Sequence, residues 1–442
     1  MRKKLNLLFL ISAVALVMLA IVFWVVFYEG EKPLITVSKD IQIIGRNSTF
    51  DITCSDMKSG LRHISVSIAQ DGTERVIHAA DFTTKGHRRE TVSVQIDYKA
   101  LQLHDGTALL QIAATDRSLR ENRTVISRQV QVDVTPPVIS LLNPSNYINP
   151  GGTCLITFTL SEPVTRAGVS VNDEFFTAYR ATQSNTPLFV CYFASPLDAA
   201  ERAVTISVSA EDGAGNTVLR TVPFHMRHKK FRSDTMRIGD RFLENKIPEF
   251  SDIRERLPDA TPLETFVYIN EQLRAENISR INELCSNPSE SRLWDGTFLR
   301  LNNAATMAYF GDKRTYYYHD EVISKSIHMG VDLASIKNAI VEASNSGIIT
   351  FTGYIGIFGN TVIIDHGQGL FSFYAHLSTV TVDEGQQIKK GAAIGRTGMS
   401  GLAGGDHLHF GILVGHRFVN PKEWWDPHWI RDNVKRKLDL PS

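Results

Sequence analysis

Three kinds of hydrophobic patterning follow one another along the chain, in four stretches. Leu7 to Tyr28 is a run of 22 residues without a charge, preceded by Arg2, Lys3 and Lys4. At 1.5 Å per residue such a run crosses a hydrocarbon core of about 30 Å. From Lys32 to about His225, short runs alternate between apolar and polar positions. Examples are Ile64-Ser-Val-Ser-Ile68, Val92-Ser-Val-Gln-Ile96 and Val204-Thr-Ile-Ser-Val208, separated by Gly, Asn, Asp and Pro. Period two predicts half-buried strands. Between about Lys229 and Glu290 the period lengthens: Leu263, Phe266, Ile269, Leu273, Ile278 and Ile281 recur at helical spacing. Thr261-Pro262-Leu263-Glu264 supplies an N-cap, a first-turn proline and a capping-box glutamate, so a helix of about 20 residues is expected there. Alternation returns in the last third, around Phe371–His376 and His407–Val414.

The expected architecture is mainly β. It comprises a stub and transmembrane helix (1–30), two sandwich modules (31–134 and 135–227), a helical connector (228–294) and a C-terminal β-rich domain (295–442). The modules repeat weakly at about 100 residues: Pro33-Leu-Ile-Thr-Val37 matches Pro137-Val-Ile-Ser-Leu141, and Thr53-Cys54 matches Thr153-Cys154. Asp116, Asn122 and Thr124 likewise correspond to Asp212, Asn216 and Thr217. With Val132-Asp-Val-Thr-Pro-Pro-Val138 and Asp212-Gly-Ala-Gly-Asn216, these units resemble bacterial Ig-like modules. They read as a spacer, reaching about 70 Å if each is about 35 Å across. The end of the apolar run, Val25-Val26-Phe27-Tyr28-Glu29, lacks a small-x-small cleavage site, so an uncleaved single-pass anchor is expected, with Met1 in the cytoplasm.

Charge narrows the function by exclusion. Lys+Arg and Asp+Glu are 47 each, so no net field favours a polyanion, and nucleic acid is not an expected partner. Four scattered cysteines without a CxxC exclude a disulfide scaffold and a thiolate zinc site. Cys154 and Cys191, in one module, are either a pair or two buried thiols.

Histidine is placed unevenly: seven of 14 lie between His319 and His416. In His328-Met-Gly-Val-Asp332 a straight strand would put the two side chains about 13 Å apart. A bend at Gly330 would bring them together on one ion. In Asp406-His407-Leu-His409-Phe410 the two histidines share one strand face about 7 Å apart. Phe371-Ser-Phe-Tyr-Ala-His376 places Tyr374 and His376 together, and His366 reads as a strand-end hydrogen bonder. Two imidazoles and one carboxylate, His328, Asp332 and His409, form the donor set of a catalytic zinc with an open position. His376 and His407 are left for acid–base work. No HExxH is present, so a helix-borne glutamate base is not expected. Tyr316-Tyr-Tyr318 suits a substrate groove or core packing equally. Trp424, Trp425 and Trp429 read as a core seal, and Arg431 to Lys437 as a solvated terminal helix.

Phe298 to Trp429 resembles the lysostaphin-type (LytM-type) zinc endopeptidases that cut peptidoglycan cross-bridges. The stretches that carry the resemblance are His328-Met-Gly-Val-Asp332-Leu-Ala334, Gly359 to Gly367, Tyr374-Ala-His376-Leu-Ser378, Gly385 to Gly391, Gly395-Arg-Thr-Gly398 and His407-Leu-His409-Phe410. They occur in family order over about 130 residues. The resemblance implies an antiparallel β-rich fold, one zinc ion on His328, Asp332 and His409, and His376 and His407 as catalytic histidines. In the family the ion polarises the scissile carbonyl and activates water, while the histidines assist proton transfer and stabilise the oxyanion. It further implies peptidoglycan as substrate, with a D-alanyl–diaminopimelate cross-link as the bond. Location in a bacterial inner membrane with the catalytic domain in the periplasm would fit, with cell-wall proteins as partners for the Ig-like modules. Two other readings remain open at this point. One is a non-catalytic wall-binding scaffold or hydrolase activator; the other is a peptidase acting on Gly-rich protein.

Overall fold

The computed structural model describes residues 2–27, 30–143, 146–181, 188–198 and 201–439. Arg2–Phe27 is one α-helix of 26 residues. The described side chains within it are those of 9–22, and among the described residues no helix is long and apolar enough to cross a membrane. The expected anchor, Leu7 to Tyr28, therefore lies partly outside the described residues. The chain divides into two compact units, 1–137 with 163–165 and 211–217, and the remainder to the C-terminus.

In the first unit a three-stranded sheet (Leu34–Val37, Thr49–Ser55, Arg89–Gln95) accompanies a five-stranded one. The latter runs Ile43–Ile44, Arg123–Val132, Gly106–Asp116, Leu61–Gln70, Thr73–Asp81. Phe50, Ile52 and Cys54 from one sheet share a core with Ile64, Val66, Ile68, Leu110 and Ile112 from the other. Alternation thus became a two-layer sandwich. The repeated Asp–Asn pair also has a physical basis. Asp116 accepts from the backbone N–H and side-chain amide of Asn122, and Asp212 does the same with Asn216.

The second sandwich, most of it in the second unit, consists of two four-stranded sheets. One is ordered Tyr179–Arg180, Leu188–Ala194, Thr153–Leu160, Ile139–Leu141, and the other Glu174–Thr177, Val164–Val171, Ile206–Asp212, Thr217–Thr221. Cys154 and Cys191 lie on neighbouring strands of the first sheet, yet both are free and buried, as are Cys54 and Cys285.

The connector is helical, with one strand that the pattern did not reveal. Ser233–Arg237 pairs in parallel with Lys313–Tyr318, which pairs with Glu321–Ile327. Helices Asp240–Lys246 and Ser251–Arg256 follow, then a continuous helix from Pro262 to Leu284 with a π turn at Ile269–Leu273. Its capping box forms as expected: Thr261 Oγ1 accepts from the Glu264 N–H, and Glu264 accepts from the Thr261 N–H at 2.8 Å. Phe266, Ile269, Leu273 and Ile281 are buried.

The C-terminal domain is built on an eight-stranded sheet. Its order is Ala305–Ala308, Val331–Ala334, Leu408–Val414, Leu370–Leu377, Gly359–Asp365, Gly347–Ile355, Gln387–Ile388, with Arg417–Val419 added to Leu408–Val414. Every pairing in it is antiparallel. The central strands Leu370–Leu377 and Leu408–Val414 are buried at every position, so both faces are covered. Trp424 is fully buried against Trp294, Phe298, Tyr192 and Trp429, the expected core seal.

One expectation needs qualification and one correction. The second sandwich does not stand apart from the C-terminal domain but packs on it within one unit. Glu423 accepts from Asn149 Nδ2 and the Thr153 N–H, both at 2.7 Å, and Trp424 Nε1 donates to Thr153 Oγ1. Nor is the terminal helix solvated all round: Val434 is fully buried, and Lys437 Nζ donates to Asn146 Oδ1 and the Leu155 carbonyl. Its long aliphatic stem lets a charged residue line an interface.

Candidate metal centre and active site

Two paired strands and the bend leading into one of them deliver the donor atoms. His328 follows the strand Glu321–Ile327, a bend at Gly330 turns the chain, and Asp332, second in the strand Val331–Ala334, lies directly opposite His409. The bend is the one expected from the glycine, and the space around it shows why no side chain is present. A Cβ on Gly330 would stand 2.5 Å from His409 Nε2 and 2.7 Å from the Phe410 carbonyl.

His328 Nε2 lies 2.9 Å from Asp332 Oδ1 and 3.0 Å from His409 Nδ1, and His409 Nδ1 lies 2.9 Å from the same Asp332 oxygen. His328 Nδ1 is 3.0 Å from the Tyr309 carbonyl, which can only accept, so that nitrogen carries the proton. The lone pair of Nε2 is then aimed at a carboxylate oxygen and a second imidazole. Three lone-pair donors facing one another call for a cation among them. Two nitrogens and one oxygen are a set that holds zinc with a position left open.

His407 and His376 border this cluster. His407 Nε2 is 3.6 Å from Asp332 Oδ1, and the His376 ring centre is 4.8 Å from that of His407 and 5.8 Å from that of His409. Each has its Nδ1 2.8 Å from a backbone carbonyl, Gly405 for His407 and Ser400 for His376. Their Nε2 atoms are therefore free to take protons. With 16% of its side chain exposed against 4% for His328 and 5% for His409, His407 faces the open side.

Electrostatics separates the group. Burial opposes ionisation of Asp332, but the surrounding histidines, His328 first, hold its carboxyl well below the usual range. Burial lowers His409 to about 4 and pushes His376 well below the ordinary imidazole value, helped by His407 and His409. Burial also works against His407, yet the hydrogen bond and charge of Asp332 outweigh it and raise its pKa.

All five expected site residues come together; Tyr374 and His366 do not join them. Strict alternation fails because His376 has φ +62°, a left-handed backbone that costs a non-glycine residue about 1–3 kcal/mol. The reversal sends its ring toward His407, while Tyr374 bonds the Ser344 N–H and Oγ at 2.7 Å and packs on Phe410. His366 is the strand-end hydrogen bonder expected, held by Ser346 O and Ser372 Oγ. Tyr316 is core, edge-on to Phe266. Arg314, two residues before it, is a site residue that no motif revealed. Its Nη2 donates to Asp332 Oδ2 at 2.9 Å, which leaves Oδ1 to the histidines.

Fold and site together define a histidine-rich centre on an antiparallel sheet whose donor set could hold a metal ion. Residues 326–421 match Peptidase family M23, and all five site residues fall inside the match. Over 106 residues the chain is 38% identical to the DD-carboxypeptidase/endopeptidase Mpg of Neisseria meningitidis serogroup B, covering 24% of each chain. It is 37% identical over 93 residues to the peptidoglycan DD-endopeptidase ShyA of Vibrio cholerae, covering 21% of this chain and 22% of that one. It is also 33% identical over 99 residues to the murein hydrolase activator NlpD of Salmonella dublin, covering 22% of this chain and 26% of that one. These matches span about a quarter of each relative's length. Over its C-terminal domain, then, the chain is similar to the LytM-type peptidases of family M23.

Proposed function

We propose that this protein is a membrane-anchored, zinc-dependent endopeptidase that hydrolyses peptide cross-links of peptidoglycan. The observation that carries the reading is the convergence of His328 Nε2, Asp332 Oδ1 and His409 Nδ1 within 3.0 Å of one another beside two further imidazoles. His328, Asp332 and His409 would hold one zinc ion, which when bound supplies a polarised carbonyl and an activated water. The chain's own part is to hold and move protons. His376 and His407, each fixed by a carbonyl at Nδ1, present Nε2 to the open side, where they can take a proton from water and steady a developing oxyanion. Arg314 holds Asp332 in a single orientation through its outer oxygen.

The names of Mpg and ShyA support a D-alanyl–diaminopimelate bond as the target. The charge-free run from Leu7 to Tyr28 would be about 33 Å long as a helix at 1.5 Å per residue. This supports an anchor in the inner membrane, with both Ig-like modules and the peptidase domain in the periplasm. The modules are then candidates to bind cell-wall proteins.

Similarity to NlpD favours a second reading, activation of another hydrolase without cleavage. Purified cross-linked muropeptide dimers separate the two. The endopeptidase converts them to monomers with no other protein present. An activator leaves them intact and accelerates only an added hydrolase.

A further inference from the structure

The orientation of His376 depends on a short loop, and that loop is held from outside the peptidase domain. The Ser400 carbonyl accepts from His376 Nδ1 at 2.8 Å. Ser400 Oγ donates to the Leu377 carbonyl at 2.8 Å and accepts from the Asn360 N–H at 2.9 Å. One residue thus fixes both the ring of His376 and the peptide that follows its left-handed backbone.

The carbonyls on either side of Ser400 are both bonded to one buried cation. Lys246 Nζ donates to Met399 O at 2.9 Å and to Gly401 O at 3.1 Å, and its remaining donor faces Glu249 at 2.9 Å. An ammonium has three donors, so this one is fully used, and the residue is only 6% exposed. Lys246 ends the helix Asp240–Lys246 of the connector, 80 residues before the family match begins.

A second contact from the connector braces the neighbouring turn. Asn277 Oδ1 accepts from the Ile357 N–H at 2.8 Å, with Gly356 flush against its amide. That turn touches the Ser400 loop: the Leu402 N–H donates to Ile357 O at 2.8 Å, and a Cβ on Gly359 would strike Ser400 Oγ at 2.3 Å.

We propose that Lys246 is a positioning residue for catalysis, clasping the loop whose Ser400 carbonyl sets the tautomer and direction of His376. The proposal rests on the endopeptidase reading and extends it: the connector braces the active site rather than screening it. Lys246 touches no reacting atom, so its loss should act through His376 alone. Misplacing a group that orients a reacting residue typically lowers turnover 10- to 100-fold.

The test uses the full chain with Lys246→Met, Lys246→Arg and Glu249→Gln, on purified muropeptide dimers, with zinc content and amide exchange measured alongside. For Lys246→Met we expect kcat to fall about 10- to 100-fold, with KM within about two-fold and zinc content unchanged. Exchange at the Leu402 N–H should quicken at least about ten-fold, because the Met399–Gly401 loop that leads into it is no longer clasped. Lys246→Arg, which keeps the charge and donors, should recover most of the turnover. Glu249→Gln keeps both carbonyl contacts and should stay within about three-fold of wild type.

Wild-type kcat in Lys246→Met with zinc retained would overturn the proposal. So would an equal loss in Glu249→Gln, since the ion pair rather than the clasp would then matter. Should Lys246→Met not fold, Lys246→Gln carries the same expectations. If the wild-type chain leaves dimers intact, the endopeptidase reading fails, and the exchange arm alone decides the clasp: unchanged Leu402 exchange refutes it.

Discussion

Gly330→Ala probes the centre with a single methyl group. The backbone at Gly330 is not left-handed, so alanine meets no dihedral penalty there and the effect is one of space. The new Cβ would lie 2.5 Å from His409 Nε2, 2.6 Å from Cε1 and 2.7 Å from the Phe410 carbonyl. Ordinary contact needs about 3.5 Å, so something must move by about 1 Å. Phe410 lies opposite both Val331 and Tyr374, in a strand with neighbours on each side. The His409 ring therefore has to yield, but Phe358 and Phe373 crowd it at centroid distances of 5.6 and 6.2 Å. Overpacking of this kind costs about 1–3 kcal/mol of stability. A displaced ligand should weaken zinc binding about 10- to 100-fold. Competition with a chromophoric chelator measures the affinity, and urea unfolding of the metal-free protein measures the stability. In a His409→Ala background the stability cost should shrink, because the main obstacle is gone. Zinc affinity within two-fold of wild type in Gly330→Ala would refute the reasoning.

Two further outcomes follow from the same geometry. His409→Ala should lose zinc and activity together, whereas His376→Ala should lose activity and keep the metal; equal zinc loss in both would sink the division of roles. Burial raises Glu423 to about 7 from 4.5, against the pull of Asn149 and the Thr153 N–H, so the folded state holds an extra proton between those values. Its contribution is fully present below about pH 4.5 and is lost as pH rises through 7, about 3 kcal/mol in all. The difference in urea stability between wild type and Glu423→Gln should therefore change between pH 5 and pH 8, with wild type losing more; parallel pH profiles would contradict it.

Local chemistry made much of this molecule legible. The capping box at Thr261, the bend at Gly330 and His409 on the Leu408–Val414 strand depend on neighbours within a few residues, and all formed as expected. What stayed hidden depends on contacts between distant segments. Arg314 reaches Asp332 across a hairpin, and Lys246 reaches Met399 from 153 residues away, with no spacing to announce either. Tyr374 was paired with His376 because alternation was carried through a position whose backbone reverses. The ties of the second module to the peptidase domain also stay hidden, because Glu423 and Trp424 look in sequence like any buried helix face.

The most direct test of the account is a zinc titration of the metal-free chain on purified peptidoglycan, with muropeptides resolved by mass spectrometry. The account predicts that cross-linked dimers persist without metal and disappear in proportion to added zinc. Conversion to monomers should saturate at one ion per chain and be absent in His407→Ala. Dimers left intact by a chain carrying its full zinc, or cleaved equally well without it, would contradict the central claim.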